Sequence, residues 1–89
     1  MVHLNGWLRC KDAAESETVA QYLPEHVRLT LAEPGCVRFS IEQTEDPLVW
    51  SVNETFVDAA AFAAHQARNR ASDWFRATIG IQRDFPRTG

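Results

Sequence analysis

This chain contains little that would staple it, metallate it or insert it into a membrane. Of its 89 residues only two are cysteine, Cys10 and Cys36. They are too few for a disulfide framework and lack metal-type spacing, and each falls at the end of an expected strand, an ordinary place for a small buried thiol. Both are expected to be reduced and unlinked. His3, His26 and His65 have no second ligand three or four residues away, so no metal site is expected. Twelve acidic residues face nine basic ones, a net charge of -3, with no basic run to neutralise phosphates, which argues against nucleic acid as a partner. No apolar run approaches the roughly 20 residues that span a bilayer. Met1 to Cys10 alternates polar with apolar residues where a signal peptide would be continuously apolar, so a cytoplasmic protein without membrane contact is expected. No flavin, nicotinamide or metal motif is visible.

The 45% hydrophobic content describes one globular domain over residues 1–89. A domain this small buries only about 60% of its unfolded surface, so a partner subunit would help to stabilise it. Val2, Leu4, Leu8 and Cys10 alternate with His3, Asn5, Trp7 and Arg9 as a strand does. Asp12 with Glu15 opens a helix whose apolar residues are Val19, Leu23, Val27, Thr30 and Leu31, with Gln21, Glu25 and Arg28 toward solvent. Pro24 predicts a kink or a break near Tyr22. Pro34 and a left-handed Gly35 then stop the helix and launch a second strand.

Val37, Phe39 and Ile41 occupy one face of that strand, and Arg38, Ser40 and Glu42 the other. Turn chemistry from Thr44 to Pro47 leads into a third strand, Leu48 to Phe56. Asp58 caps a second helix with Phe62, His65 and Asn69 on one stripe. Ser72 caps a short helix carrying Trp74 and Phe75. Residues Ile79 to Phe85 read as a fourth strand, and Pro86 to Gly89 as a tail.

The resulting order, β-α-β-β-α-(α)-β, is α+β. Two helices cover one face of a four-stranded sheet. Leu4, Leu8, Val37, Phe39, Ile41, Trp50, Val52, Ile79 and Ile81 are expected on that face. The other face, with His3, Asn5, Trp7, Ser51 and Asn53, is too aromatic for plain solvent exposure and too polar for a dry core. A second copy of the same sheet is its natural cover.

The segments Glu33-Pro34-Gly35-Cys36-Val37-Arg38-Phe39 and Glu54-Thr55-Phe56-Val57-Asp58, with the later Ala61-Phe62-Ala63-Ala64-His65, resemble the antibiotic biosynthesis monooxygenase family. The resemblance runs from about Val2 to Phe85. It implies a ferredoxin-like antiparallel sheet and a homodimer closed as an α+β barrel. For activity it implies cofactor-independent oxidation of a quinol or small polyphenol by dioxygen, although relatives on this fold also include isomerases, heme-degrading enzymes and proteins of no assigned activity. The heme-degrading pattern is not met, because His65 stands where those relatives place a Trp and no histidine follows it.

In the third strand Glu54 is the one carboxylate in the inward register. At 1.5 Å per residue along the helix and about 3.3 Å per residue along the strand, His65 comes level with Asn53 or Glu54. Two roles suit this pair. One is a buried polar link that anchors the helix. The other is an acid–base pair in which Glu54 orients His65 to take a proton from an acidic aromatic hydroxyl.

Trp50, Trp74 and Phe75 suit either an aromatic wall around a flat substrate or the core. Tyr22, the only tyrosine, is a cleft candidate beside Pro24. Asn5 belongs to the opposite face, where interface packing competes with a ligand role. His26 reads as a partly exposed helix residue. The alternatives to a monooxygenase are a non-catalytic, small-molecule-binding or stress-associated dimer, or an isomerase or lyase on the same fold that uses the same base without oxygen.

Overall fold

The chain is represented by a computed structural model that describes residues 1–85. Its elements are β1 (Val2–Arg9), α1 (Ala13–Leu31), β2 (Cys36–Gln43), β3 (Val49–Phe56), α2 (Ala59–Arg70), α3 (Asp73–Thr78) and β4 (Gln82–Asp84). The strands form one antiparallel sheet in the order β2-β3-β1-β4. This is the ferredoxin-like arrangement. The tail read at Pro86 to Gly89 lies outside the described residues.

Local chemistry sets the helix starts. Asp12 accepts from the Glu15 N–H at 3.0 Å while the Glu15 carboxylate reaches back to the Lys11 N–H at 2.8 Å. Asp58 accepts from the Ala61 N–H at 2.8 Å and Ser72 from the Phe75 N–H at 3.1 Å. The core lies between the helices and one sheet face, where Val19 of α1 and Trp74 of α3 join Leu8, Phe39, Ile41, Trp50 and Val52. Strand β3 alternates without exception, burying Trp50, Val52, Glu54 and Phe56.

Several expectations are corrected. Helix α1 passes through Pro24 unbroken. Proline removes only the bond to the Ala20 carbonyl, and Ala20 is exposed, so water can satisfy that carbonyl while the buried stripe on the other side holds the helix. That stripe is Ser16, Val19, His26 and Thr30, so His26 is buried and not partly exposed.

Val37 is 51% exposed, not on the inner face. The register steps from Cys36 opposite Phe56 to Arg38 opposite Thr55, leaving Val37 as the extra residue of a β-bulge. Ile79 is 64% exposed because α3 extends to Thr78 and Ile79 is its cap, which shortens the fourth strand to Gln82–Asp84. Gly35 is not left-handed. Its missing side chain admits the Ala61 methyl, so here glycine serves the close approach of α2 to the loop.

The two free thiols lie at opposite ends of β3: the Cys10 N–H donates to the Leu48 carbonyl, and Cys36 pairs with Phe56. The outer sheet face presents exposed His3, Asn5, Trp7 and Arg38. The Arg9 guanidinium sits 5.4 Å from the Trp7 ring centre there. No helix among the described residues is long and apolar enough to cross a membrane.

Candidate functional site

Among the described residues strand β4 pairs with only Trp7, Leu8 and Arg9 of β1, so there the first half of β1 has no neighbour on that edge. Beside that edge, between the sheet and α2, opens a cavity of about 990 Å³. Glu54 and His65 line it. Leu4 and Phe39 are the cross-strand neighbours of Glu54, so its carboxyl is flanked by apolar groups. Burial, reinforced by the nearby Glu33 charge, pushes Glu54 up to about 7.

His65 Nε2 stands 3.5 Å from Glu54 Oε1, close but without a hydrogen bond. The other ring nitrogen is better held: Nδ1 lies 3.0 and 3.1 Å from the two carboxylate oxygens of Glu33. Arg68 Nε donates to the same carboxylate at 2.5 Å, and Arg68 Nη2 donates to the Thr30 hydroxyl at 2.9 Å. A carboxylate ion-paired with arginine only accepts hydrogen bonds, so Nδ1 carries the ring proton and Nε2 faces Glu54 with its lone pair when the ring is neutral. The imidazole is further fixed between Phe56, 4.8 Å away centre to centre, and Phe39 at 5.9 Å.

Such an array can accept a proton at Nε2 and hold the resulting imidazolium between two carboxylates. Among the described residues no group of three or more His, Cys, Asp and Glu side chains converges as a metal site.

Of the other residues singled out in the sequence, Trp74 lines this cavity, and exposed Asn5 lines it from the outer side of the β1 edge. Tyr22 lines a separate cavity of about 240 Å³, together with His26 and Trp74. Trp50 and Phe75 line neither. Trp50 Nε1 donates to Ser16 Oγ at 3.1 Å, and that hydroxyl donates to the Pro47 carbonyl at 2.7 Å, which pins α1 to the end of the β2–β3 hairpin.

Glu33 and Arg68, which sequence reasoning did not assign to the site, join it through tertiary contact. Glu33 reads in sequence only as the residue before a helix-stop proline. A sequence signal for Arg68 does exist, since it follows His65 by three residues and so shares its side of α2. His26 also joins the site. Its spacing from Val19 and Thr30, seven and four residues, is the available signal.

No curated protein matches the chain in sequence. Solved structures share its fold. A candidate antibiotic biosynthesis monooxygenase from Deinococcus radiodurans has TM-score 0.73 at 20% identity, covering 100% of this chain and 93% of the other. One from Nitrosomonas europaea has TM-score 0.72 at 15% identity, covering 98% of both chains. A Bacteroides thetaiotaomicron protein of unknown function, described as a possible oxidoreductase, has TM-score 0.72 at 20% identity over 94% of this chain and 90% of its own. The family model for antibiotic biosynthesis monooxygenase matches residues 1–77, and the chain therefore belongs to that family.

Proposed function

We propose that the protein is a cofactor-independent monooxygenase acting on a quinol or small polyphenolic aromatic, with His65 as the base. The observation that carries this reading is the His65–Glu54 contact on the wall of a cavity wide enough for an aromatic ring, with Nδ1 fixed by Glu33. His65 Nε2 takes the phenolic proton. The phenolate then has negative charge on its ring carbons and becomes an electron donor to dioxygen. One electron passes to dioxygen, the radical pair collapses to a carbon–oxygen bond at a ring carbon that bears hydrogen, and the His65 imidazolium returns its proton to the terminal peroxide oxygen. Loss of water from that hydroperoxide leaves a quinone carbonyl. One oxygen atom ends in the product and the other in water, so no external reductant is required.

The protein supplies the base, the Glu33 and Glu54 carboxyl groups around the imidazolium, and apolar side chains such as Phe62, Trp74 and Ile41 to pack against the ring. Oxygen uptake with naphthoquinols and catechols tests the reading. His65→Ala is expected to slow the chemical step by about 10²- to 10⁴-fold, and unchanged uptake would remove His65 from the mechanism.

The outer sheet face, with Trp7 exposed, supports a homodimer. The free thiols of Cys10 and Cys36, which need no oxidising compartment, support a cytoplasmic setting. A second reading, a non-catalytic binding protein, is favoured by one observation: the Glu33–Arg68–Thr30 contacts tie α2 to the end of α1, a purely structural use of the same residues. In that case His65→Ala lowers stability and no tested aromatic consumes oxygen.

A further inference from the structure

Strand β4 brings one cation to the wall of the large cavity. Arg83 stands opposite Leu8 in the sheet register, and directly paired residues share a face, so its side chain lies on the helix side with Leu8, which also lines the cavity. The next residue, Asp84, stands opposite exposed Trp7 and pairs with Arg9 at 3.2 Å on the outer face. Arg68, behind His65, has the Glu33 carboxylate. Arg83 has no carboxylate partner among the described residues, and burial pulls its guanidinium below the ordinary arginine value with no anion to oppose the shift.

What holds Arg83 is neutral. Nη1 donates to the Thr78 and Ile81 carbonyls at 2.9 and 3.2 Å, and Nη2 donates to the Thr78 hydroxyl at 2.8 Å. These bonds seat the guanidinium on the C-terminal end of α3, yet they use only part of its donor set. The two Thr78 oxygens take the end shared by Nη1 and Nη2, and the Ile81 carbonyl takes the outer side of Nη1. Among the described residues the Nε–H and the Nη2–H beside it have no acceptor. Those two N–H groups are parallel and form the fork that meets both oxygens of one carboxylate. Arg83 is exposed where it lines the cavity, so the open side of the guanidinium is within reach of a ligand.

The charge of the cavity points the same way. Glu54 and Arg83 are the only acidic and basic side chains on its wall besides histidines, and burial pushes Glu54 up to about 7, so near neutral pH much of it is uncharged. The Arg83 charge is therefore not balanced within the cavity. A hydroxyl or a phenolate offers one oxygen and leaves half of the fork unmatched, and an ammonium is repelled. A carboxylate matches both the charge and the geometry.

We propose that Arg83 is a specificity-determining residue that binds a carboxylate of the aromatic ligand through its Nε–H and Nη2–H, so that the cavity selects hydroxyaryl carboxylates over neutral phenols and quinols of the same size. This rests on the reading of the cavity as an aromatic substrate site, but not on which residue acts as base.

The test is anaerobic calorimetric binding at neutral pH of 4-hydroxy-1-naphthoate, 5-hydroxy-1-naphthoate and 6-hydroxy-2-naphthoate, each beside its own carboxamide, with 1-naphthol as the unsubstituted control. Acid and amide have the same size, so the comparison isolates the charge. The wild type is expected to bind at least one acid about tenfold or more tightly than its amide. In Arg83→Met and Arg83→Gln that preference is expected to fall to about twofold or less, with thermal unfolding checking that each variant is folded. The glutamine can still donate to Thr78, so Arg83→Gln decides the matter if Arg83→Met does not fold. A purely structural cap on α3 would weaken acid and amide alike and leave their ratio unchanged. Equal binding of acid and amide by the wild type, or an undiminished ratio in Arg83→Gln, overturns the proposal alone. No binding of any of these naphthalenes overturns the aromatic-site reading and this proposal with it.

Discussion

Glu54 and His26 are displaced in opposite directions by burial, and the difference is measurable as a crossed pH dependence of stability. Glu54 rises from 4.5 to about 7, so between these values the folded protein holds a proton that the unfolded chain has released. Stability falls as pH rises through this window, by about 3 kcal/mol in all, since one pH unit of displacement is worth about 1.36 kcal/mol. His26 falls from 6.5 to about 3, so between those values the unfolded chain holds the extra proton and stability rises with pH. Its full contribution is about 5 kcal/mol, lost as pH drops from 6.5 toward 3.

From pH 4.5 to 6.5 the two slopes cancel, and these two groups leave the wild type flat. Glu54→Gln uncovers the His26 slope, and stability then rises by about 3 kcal/mol across that interval. His26→Phe uncovers the Glu54 slope, and stability falls from pH 4.5 to 7 by a similar amount. Urea unfolding at a series of pH values reads both. The remaining carboxylates and histidines are common to all three proteins, so the difference curves isolate the two groups. Parallel curves for the wild type and both variants would refute the reasoning.

Other outcomes follow from the same contacts. Glu33→Gln leaves Arg68 without its carboxylate and weakens the hold on His65 Nδ1, so stability is expected to drop by about 1–3 kcal/mol. If the proposed mechanism holds, kcat in that variant falls about tenfold or more with little change in KM, as steady-state oxygen uptake will show. The bulge at Val37 predicts that Val37→Ala changes stability by less than about 1 kcal/mol, whereas Phe39→Ala costs about 3–5 kcal/mol. The reverse order in denaturant unfolding would place the register one residue away. Sedimentation is expected to find a dimer burying more than about 1,000 Å² through the face that carries Trp7, and Trp7→Glu to give a monomer.

The order of elements was legible in the chain because each is written locally. Asp12, Asp58 and Ser72 cap helices with their own side chains, and the period of two from Trp50 to Phe56 survives intact in β3. The inward register of Glu54 was legible for the same reason. Where the pattern misled, a neighbour decided. Val37 turns outward because β2 must fit one extra residue against β3, which no periodicity within β2 reveals. Ile79 becomes a helix cap once Trp74 and Thr78 are buried. Gly35 answers to Ala61, a residue of another element.

The site divides along the same line. Strand and helix geometry alone brought His65 level with Glu54, since both are rigid and joined by a short turn. That Glu33 holds Nδ1, that Arg68 backs Glu33, and that His26 is buried against Trp74 depend on how α1, its following loop, α2 and α3 pack together. Hydrogen bonds between residues more than thirty positions apart, such as His65 to Glu33 and Arg68 to Thr30, have no local sequence signature. Only the tertiary structure chooses those partners, because side-chain direction and burial are set by every packed element at once.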